Sequence, residues 1–213
     1  MIVGSSRRRL REASGEAAGE AALPGDAGPL DGTALRNALR RWRLLHRVKQ
    51  AHAAERLGVA QSTISRWEDG TLAIDPAAAR RIEALVAARL SDAADAALKR
   101  LIEESPRAIH LVCDASHRLL AFSPQRGASF GVAGAALLGR SLWRYSTPEL
   151  MAAEAALAAR GWHDALAPAP VEFDTGDNGA TLVPIRPSRC RWTRMTLSDG
   201  AKARLVETLA VTG

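Results

Sequence analysis

Cysteine is scarce in this sequence, and its two residues, Cys113 and Cys190, lie far apart in the chain. This scarcity argues against a disulfide scaffold and favours a reducing cytoplasm. Neither cysteine belongs to a Cys-x-x-Cys motif or a histidine cluster, so the sequence predicts no metal site. Long apolar runs are also lacking, since no stretch approaches the ~20 residues of a membrane span. The basic start of the chain is not followed by an apolar segment, so we do not interpret it as a secretory signal.

The 213 residues are enough for two small domains, each with its own core. Residues 12–32 consist mainly of small and acidic residues with little to bury, so residues 1–32 are predicted to be a disordered tail. The formal net charge is +6. Residues 34–70 contain eight Lys and Arg against three Asp and Glu, a difference of +5, so most of the surplus lies there. This concentration of positive charge favours a polyanionic partner.

Residues 35–85 have the periodicity of a bundle of five short helices. A second helix, at about 50–57, is followed by Gly58, which suits a left-handed helix cap. A third, at about 61–69, directs Ile64 and Trp67 to its inner face. Asp75 and Pro76 are an N-cap and a first helical residue and open a further helix. The first helix carries an apolar stripe at helical spacing, formed by Leu35, Leu39, Trp42 and Leu45.

This segment resembles the Cro/repressor helix-turn-helix domain of the xenobiotic-response-element (XRE) family. The similarity lies in Ala54, Leu57, Gly58 and Val59, followed by Gln-Ser-Thr-Ile-Ser-Arg-Trp-Glu at residues 61–68. The resemblance implies a DNA-binding domain at residues 33–90, in which residues 61–68 enter the major groove. It also implies a transcriptional regulator that binds a pseudo-palindromic operator on double-stranded DNA as a homodimer.

The resemblance and the side-chain chemistry together predict the residues that contact DNA. Base contacts are predicted for Gln61, Ser62, Thr63 and Arg66, because amides, hydroxyls and guanidinium groups read base edges. Phosphate contacts are predicted for Lys49, Gln50 and Ser65. Arg43 and Glu68 are predicted to form a structural ion pair. The positions that usually cap helices 2 and 3 with Ser or Thr hold Lys49 and Ala60, and each missing cap costs about 1 kcal/mol.

The pattern changes from helical to extended after a helical connector at residues 91–105. Strands are predicted near residues 108–114, 118–123, 170–174, 189–197 and 203–210, with helices between the second and third strands. The segments 111–120, 138–142 and 148–150 resemble those of a PAS sensor domain. The resulting fold class has two domains: a helical bundle and, at residues 106–211, an α+β PAS-like domain. Its sheet is antiparallel and five-stranded, with helices on one face.

The PAS resemblance implies dimerisation or a small-molecule effector, but the residues identify no cofactor. A haem would use His110 or His117, although a single histidine on a strand or in a turn is more typical of structure. A covalent flavin site needs a cysteine in a helical Asn-Cys-Arg setting, whereas Cys113 and Cys190 lie on predicted strands. Trp143 and Trp192 are interpreted as core residues, with pocket lining as the alternative.

Two other functions remain open at this point. One is a self-cleaving repressor with a Ser-Lys protease domain, which requires a buried, neutral lysine beside a serine. Lys202 is the sole lysine of the second domain, and its place beside a predicted turn argues against this enzyme. The other alternative is an antitoxin whose second domain binds a protein toxin. We expect a regulator without enzymatic activity.

Overall fold

The computed structural model describes residues 30–210. Most of the predicted disordered tail at residues 1–32 therefore lies outside the described residues. The chain begins with a helical bundle, which we call the N-terminal bundle. It contains α1 (Gly32–Leu45), α2 (Gln50–Leu57), α3 (Gln61–Glu68) and α4 (Pro76–Val86).

Local chemistry explains where these helices begin and end. The Asp75 carboxylate accepts hydrogen bonds from the amides of Ala77 and Ala78, so it caps α4 as expected. Gly58 ends α2 with a φ of 66°, the left-handed conformation that glycine adopts without strain. The side chains of Leu39 and Ile64 are fully buried, so the apolar faces of α1 and α3 meet in one core.

The fifth helix of the expected bundle lies elsewhere. Only four helices occupy residues 32–86, and α5 (Ala93–Glu103) packs against the sheet of the second domain. Ile102 of α5 is buried in this contact. The carboxylate of Asp95, also on α5, accepts hydrogen bonds from the amide and the hydroxyl of Ser198. The helix is therefore held against the sheet at both of its ends.

The C-terminal domain has the α+β architecture predicted from the sequence. Its strands are β1 (Ile109–Cys113), β2 (Leu119–Phe122), β3 (Val171–Thr175), β4 (Ser188–Thr196) and β5 (Lys202–Ala210). They form one antiparallel sheet in the order β2-β1-β5-β4-β3. The chain between β2 and β3 contains α6 (Pro124–Ala128), two short 3-10 helices and α7 (Pro148–Ala156). Two strands, intervening helices and three further strands confirm the predicted PAS-like layout.

The sheet is covered on both faces because successive strand residues point in opposite directions. His110 and Val112 of β1 face the helices of the C-terminal domain, whereas Leu111 and Cys113 face α5 and the N-terminal bundle. Cys113 donates a hydrogen bond from Sγ to the carbonyl oxygen of Val86, the last residue of α4, at 3.3 Å. One hydrophobic core therefore runs from the bundle through α5 into the sheet. Within residues 30–210, no helix has the length and hydropathy needed to cross a membrane.

Candidate functional site

The first turns of α3 present polar side chains to solvent. Gln61, Ser62 and Arg66 are exposed, and Thr63 and Ser65 are half-buried. Ile64 and Trp67, on the opposite side of the helix, are buried and anchor it to the bundle. Arg66 Nε approaches the carbonyl oxygen of Ser62 at 3.4 Å, and Ser65 Oγ approaches the Asp69 carboxylate at 3.4 Å. Both distances are long, so these side chains are free to form stronger bonds.

A chain of hydrogen bonds fixes the start of α3. Arg43 forms a two-pronged ion pair with Glu68, with both nitrogen-to-oxygen distances at 2.8 Å. Gln50 Nε2 donates to Glu68 at 3.0 Å, and Gln61 Nε2 donates to Gln50 Oε1 at 2.7 Å. Burial raises the pKa of Glu68, but hydrogen bonds from Arg43 and Gln50 outweigh it and lower the pKa. The Glu68 carboxylate is therefore charged and holds α1, α2 and α3 in register.

Neither α2 nor α3 has a side-chain cap at its N-terminus. Lys49 precedes α2 and Ala60 precedes α3, and neither side chain accepts a hydrogen bond from the first turn. Amide groups of these first turns consequently keep hydrogen-bonding capacity, and they carry the positive end of the helix dipole. The two helix starts meet where Gln50 and Gln61 are hydrogen-bonded. Together they form an electropositive surface suited to an anion.

A cavity of about 390 Å³ lies in the C-terminal domain, between the sheet and its covering helices. This volume falls within the range of small-molecule sites. The sheet contributes one face of β1, β4 and β5 to its wall. The opposite wall comes from α6, the segment around Trp143 and the loop before β4. The residues that line it include His110, Val112, Arg126, Leu142, Trp143, Val183, Ile185, Cys190, Trp192 and Arg204.

The structure places both tryptophans considered above at this cavity. Trp192 is buried in the sheet, and Trp143 is half-buried and stacks on His117 with ring centroids 4.4 Å apart. The side chain of His117 also lines the cavity, and its backbone φ of 56° places it in the left-handed turn after β1. Cys190 faces the same space, and burial raises the pKa of its thiol. The other thiol, Cys113, faces the N-terminal bundle.

A buried charge cluster connects this cavity to the N-terminal bundle. The fully buried Arg204 of β5 donates to Asp114 at 2.6 Å and to Glu154 of α7 at 2.7 Å. Glu154 also lies 4.0 Å from the guanidinium of Arg41, on α1, whose Nε donates to the carbonyl oxygen of Ala115 at 2.7 Å. Burial raises the pKa of Glu154, but the charge of Arg204 outweighs it and holds that pKa well below its usual value. The cluster is therefore ionised and joins α1, α7 and β5.

Residues 39–86 match the family model described as Helix-turn-helix. The match spans the second half of α1, then α2, the turn at Gly58, α3 and α4. Residues 39–86 form a helix-turn-helix domain. The helix-turn-helix resemblance is therefore confirmed for this part of the chain, and α3 is the second helix of the motif. A comparison with curated proteins finds no match.

Several solved structures are similar to the chain at low identity. The PAS domain of an HTR-like protein from Haloarcula marismortui is 20% identical, with 54% of this chain and 89% of that chain covered and a TM-score of 0.37. The PAS domain of Bordetella pertussis BvgS is 21% identical, with 55% of this chain and 85% of that chain covered and a TM-score of 0.35. An RNA-binding Light-Oxygen-Voltage receptor is 15% identical, with a TM-score of 0.37; 84% of this chain aligns with 60% of it. The observed strand order and inserted helices establish the PAS-like architecture independently of these distant similarities.

Sequence reasoning missed the residues between the helix-turn-helix domain and the cavity. Arg41 belongs to the basic segment that favours a polyanion, yet its guanidinium points into the C-terminal domain. Arg126 and Glu154 belong to no motif. The sequence offers one signal for these residues, which is that single charged residues occur among apolar ones in 108–123 and 148–160. This signal does not show which charged residues form ion pairs, because the partners are far apart in the sequence. Lys202, by contrast, donates to Thr196 Oγ1 at 2.9 Å and to no serine, in keeping with its expected place beside the hairpin turn.

Proposed function

We propose that this chain is a sequence-specific transcriptional regulator that reads DNA with α3 and responds to a small molecule in its PAS-like domain. The exposed polar face of α3 carries the proposal. Gln61, Ser62 and Arg66 stay uncovered although the C-terminal domain packs closely on other parts of the bundle. Within residues 30–210, the hydrogen bonds of these side chains run only to α2 and α3. A helix gains no stability from such an exposed cluster, so recognition is the better explanation.

Gln61 is placed to read an adenine. Bidentate pairing with adenine requires one amide hydrogen and one amide oxygen. Gln61 donates one Nε2 hydrogen to Gln50, which leaves its second hydrogen and its Oε1 available. Because Gln50 is itself held by Glu68, the Gln61 amide is ordered before DNA arrives. Gln50 then acts mainly by positioning Gln61, and a phosphate contact by Gln50 stays a prediction.

The remaining contacts divide by chemistry. Arg66 and Ser62 extend from the exposed side of α3 toward base edges, and the Thr63 methyl suits a thymine. Lys49 and the uncapped starts of α2 and α3 bind phosphate, and Ser65 contributes its hydroxyl. These phosphate contacts fix the position of the domain without reading sequence. Binding to an operator with two half-sites requires a homodimer with recognition helices ~34 Å apart. We propose a cytoplasmic location as well, since both cysteines of the chain are free thiols and the proposed partner is DNA.

The PAS-like domain is proposed to act on DNA binding through the buried charge cluster. Arg204 lines the cavity and contacts Glu154, which in turn lies beside Arg41 of α1. A ligand that moves Arg204 therefore changes the surroundings of the helix on which the recognition helix packs. This arrangement supports regulation by a small molecule better than it supports an independent DNA-binding module.

Fluorescence anisotropy with a selected operator and with random duplex tests the DNA-binding proposal. We expect Gln61→Ala and Arg66→Ala each to weaken operator binding by ~1 to 3 kcal/mol and to leave random-duplex binding nearly unchanged. Lys49→Ala should weaken both, and should reduce the salt slope by ~1. Arg160→Ala, an exposed arginine of the C-terminal domain, is the matched control and should change neither.

Equal losses on both DNAs for Gln61→Ala, Arg66→Ala and Lys49→Ala would contradict this division between base and phosphate contacts. Failure of the wild-type protein to bind any duplex at low ionic strength would refute the function itself. Sedimentation of the complex checks the stoichiometry: two chains per operator are expected, with half-sites ~10 base pairs apart.

A further inference from the structure

We propose that the cavity of the C-terminal domain binds a small monocarboxylate with a flat or branched apolar body, and that Arg126 holds its carboxylate. The inference rests on the proposed sensory function, whose ligand class it names. It depends on the unpaired charge of Arg126, on a second unsatisfied polar group beside it and on the apolar walls of the cavity.

Arg126 lines the cavity and has no ionic partner among the described residues. Its Nη1 donates to Ser129 Oγ at 3.0 Å, and its guanidinium lies 4.8 Å above the ring of Phe130. Its Nε is buried and has no hydrogen-bond partner in the same part of the chain. No carboxylate of residues 30–210 forms an ion pair with it. The free Nε–H and the adjacent Nη2 form the edge of a guanidinium that binds a carboxylate through two parallel hydrogen bonds.

Two other arginines that are largely withdrawn from solvent do approach carboxylates. Arg204 contacts two carboxylates and Arg41 approaches one. Arg126 lacks such compensation, so burial lowers its pKa. Arg126 is half-buried, and a charge that is partly withdrawn from water without a counter-charge destabilises a folded protein unless a ligand supplies the opposite charge. The structure therefore carries the cost of this arginine in the unliganded state.

His110 provides a second polar group at the same place. The residue is buried on β1 and lines the cavity, and its Nδ1 has no hydrogen-bond partner between residues 30 and 210. Burial and the nearby charge of Arg126 hold its pKa well below the usual value, so the ring is neutral. A neutral imidazole can donate one hydrogen bond to the carboxylate without adding a second charge. Arg126 and His110 together satisfy one carboxylate.

The rest of the cavity selects the body of the ligand. Its wall includes Val112, Leu142, Val183 and Ile185 and the flat ring of Trp143, and contains no acidic side chain. Two further arginines line it: Arg204, whose charge is balanced by Asp114 and Glu154, and Arg186, which is exposed to solvent. Among the described residues of the wall, Arg126 is thus the cation that is withdrawn from solvent without an ionic partner, and one such charge matches a single carboxylate better than a multiply charged phosphate or a dicarboxylate. The apolar walls match an aromatic or branched aliphatic group.

Isothermal titration calorimetry of the full chain without DNA tests the proposal. The probes are indole-3-acetate, phenylacetate and 4-methylpentanoate, each compared with its neutral amide. We expect at least one acid to bind the wild-type protein roughly 10- to 100-fold more tightly than its amide, which is the difference expected for charge-assisted hydrogen bonds. In Arg126→Met the acid should lose this advantage, whereas the amide should bind as before.

Two further variants separate geometry from charge. Arg126→Lys keeps the positive charge but lacks the two-pronged edge, so its preference for the acid should be intermediate. Arg160→Met changes an exposed arginine and should bind like the wild type. Amide binding shows that the cavity of each variant is intact. Without ligand, Arg126→Met should also unfold at a higher temperature than the wild type, because it removes the uncompensated charge.

Equal affinity of wild-type protein for every acid and its amide would overturn the proposal, as would the absence of binding by all three acids. An undiminished preference of Arg126→Met for the acid would also overturn it. Operator binding is measured separately on the same preparations. Acid binding that leaves operator affinity unchanged would support the carboxylate site and refute the sensory role.

Discussion

The buried imidazole of His117 should make the stability of the chain fall as the pH falls. The residue is 4% exposed, and its ring is enclosed between Trp143 and the buried charge cluster. Its Nε2 lies 3.5 Å from Glu154 Oε1, too far for a strong hydrogen bond. Burial, followed by the charge of Arg41, therefore lowers the pKa of His117 from 6.5 to about 4.

Proton linkage determines whether the stability rises or falls with pH. The pKa in the folded state is below that of the unfolded chain, so the unfolded state binds the proton first as the pH decreases. The contribution of the neutral His117 to the free energy of unfolding is fully present above about pH 6.5, and it is lost progressively as the pH falls to about 4. A difference of about 2.5 pKa units, at about 1.36 kcal/mol each, corresponds to a loss of about 3 kcal/mol.

Urea unfolding between pH 7 and 4.5, followed by tryptophan fluorescence, measures this loss. The informative change is His117→Asn, since asparagine tolerates the positive φ at this position. In the wild type, His117 should lower the free energy of unfolding by about 1.4 kcal/mol for each pH unit of acidification in this range. We expect the variant to lack this part of the pH dependence. It should keep the part that comes from the buried His110, whose pKa is also lowered. The exposed His52→Asn serves as the control. A wild-type pH dependence in His117→Asn would refute the reasoning.

Three further substitutions test the energetics of the described contacts, each through the free energy of unfolding in urea. Ala60→Ser supplies the missing cap of α3 and should stabilise the protein by ~1 kcal/mol. Gly58→Ala should destabilise it by ~1 kcal/mol; nothing lies within 4 Å of the added Cβ, so the cause is the left-handed backbone alone. Asp114→Asn removes one of the two carboxylates that balance the buried Arg204 and should cost ~3 kcal/mol.

Each of these substitutions has a matched control. Ala60→Val adds volume without an acceptor, so a stabilisation equal to that of Ala60→Ser would contradict the capping argument. Gly58→Asn should cost less than Gly58→Ala, because asparagine adopts positive φ more readily. Glu172→Gln breaks partly exposed ion pairs on β3 and should cost at most ~1 kcal/mol. A cost for Asp114→Asn as small as that of Glu172→Gln would show that Arg204 needs no compensation.

Short-range patterns in the sequence predicted most of the secondary structure. The bounds of α2 and α3 follow from apolar spacing and from Gly58, and all five strands occur close to their predicted positions. The turn before β5 occurs at residues 198–200, where Gly200 has a φ of 83°. Such signals depend on residues within about one turn of helix or one hairpin, so one sequence is enough to reveal them.

Long-range contacts could not be predicted in this way. The periodicity of α5 is that of any amphipathic helix, so it does not reveal that Ile102 packs on the sheet rather than in the bundle. Arg41 has the same charge as its neighbours on α1, but only the fold brings it to Ala115 and Glu154. The unpaired state of Arg126 likewise depends on which carboxylates are absent around it. A single sequence contains no record of such pairings.

The continuous core between the helix-turn-helix domain and the sheet limits how this protein can be recombined with others. A chimera that joined residues 30–90 to an unrelated receptor module would leave Val86 without the apolar surface that now covers it. It would also leave the Arg41 guanidinium facing a foreign surface, with neither the Ala115 carbonyl nor the Glu154 carboxylate to receive it. The helix-turn-helix domain and the C-terminal domain therefore form one structural unit, and exchanging either of them requires redesigning the contact surface between them.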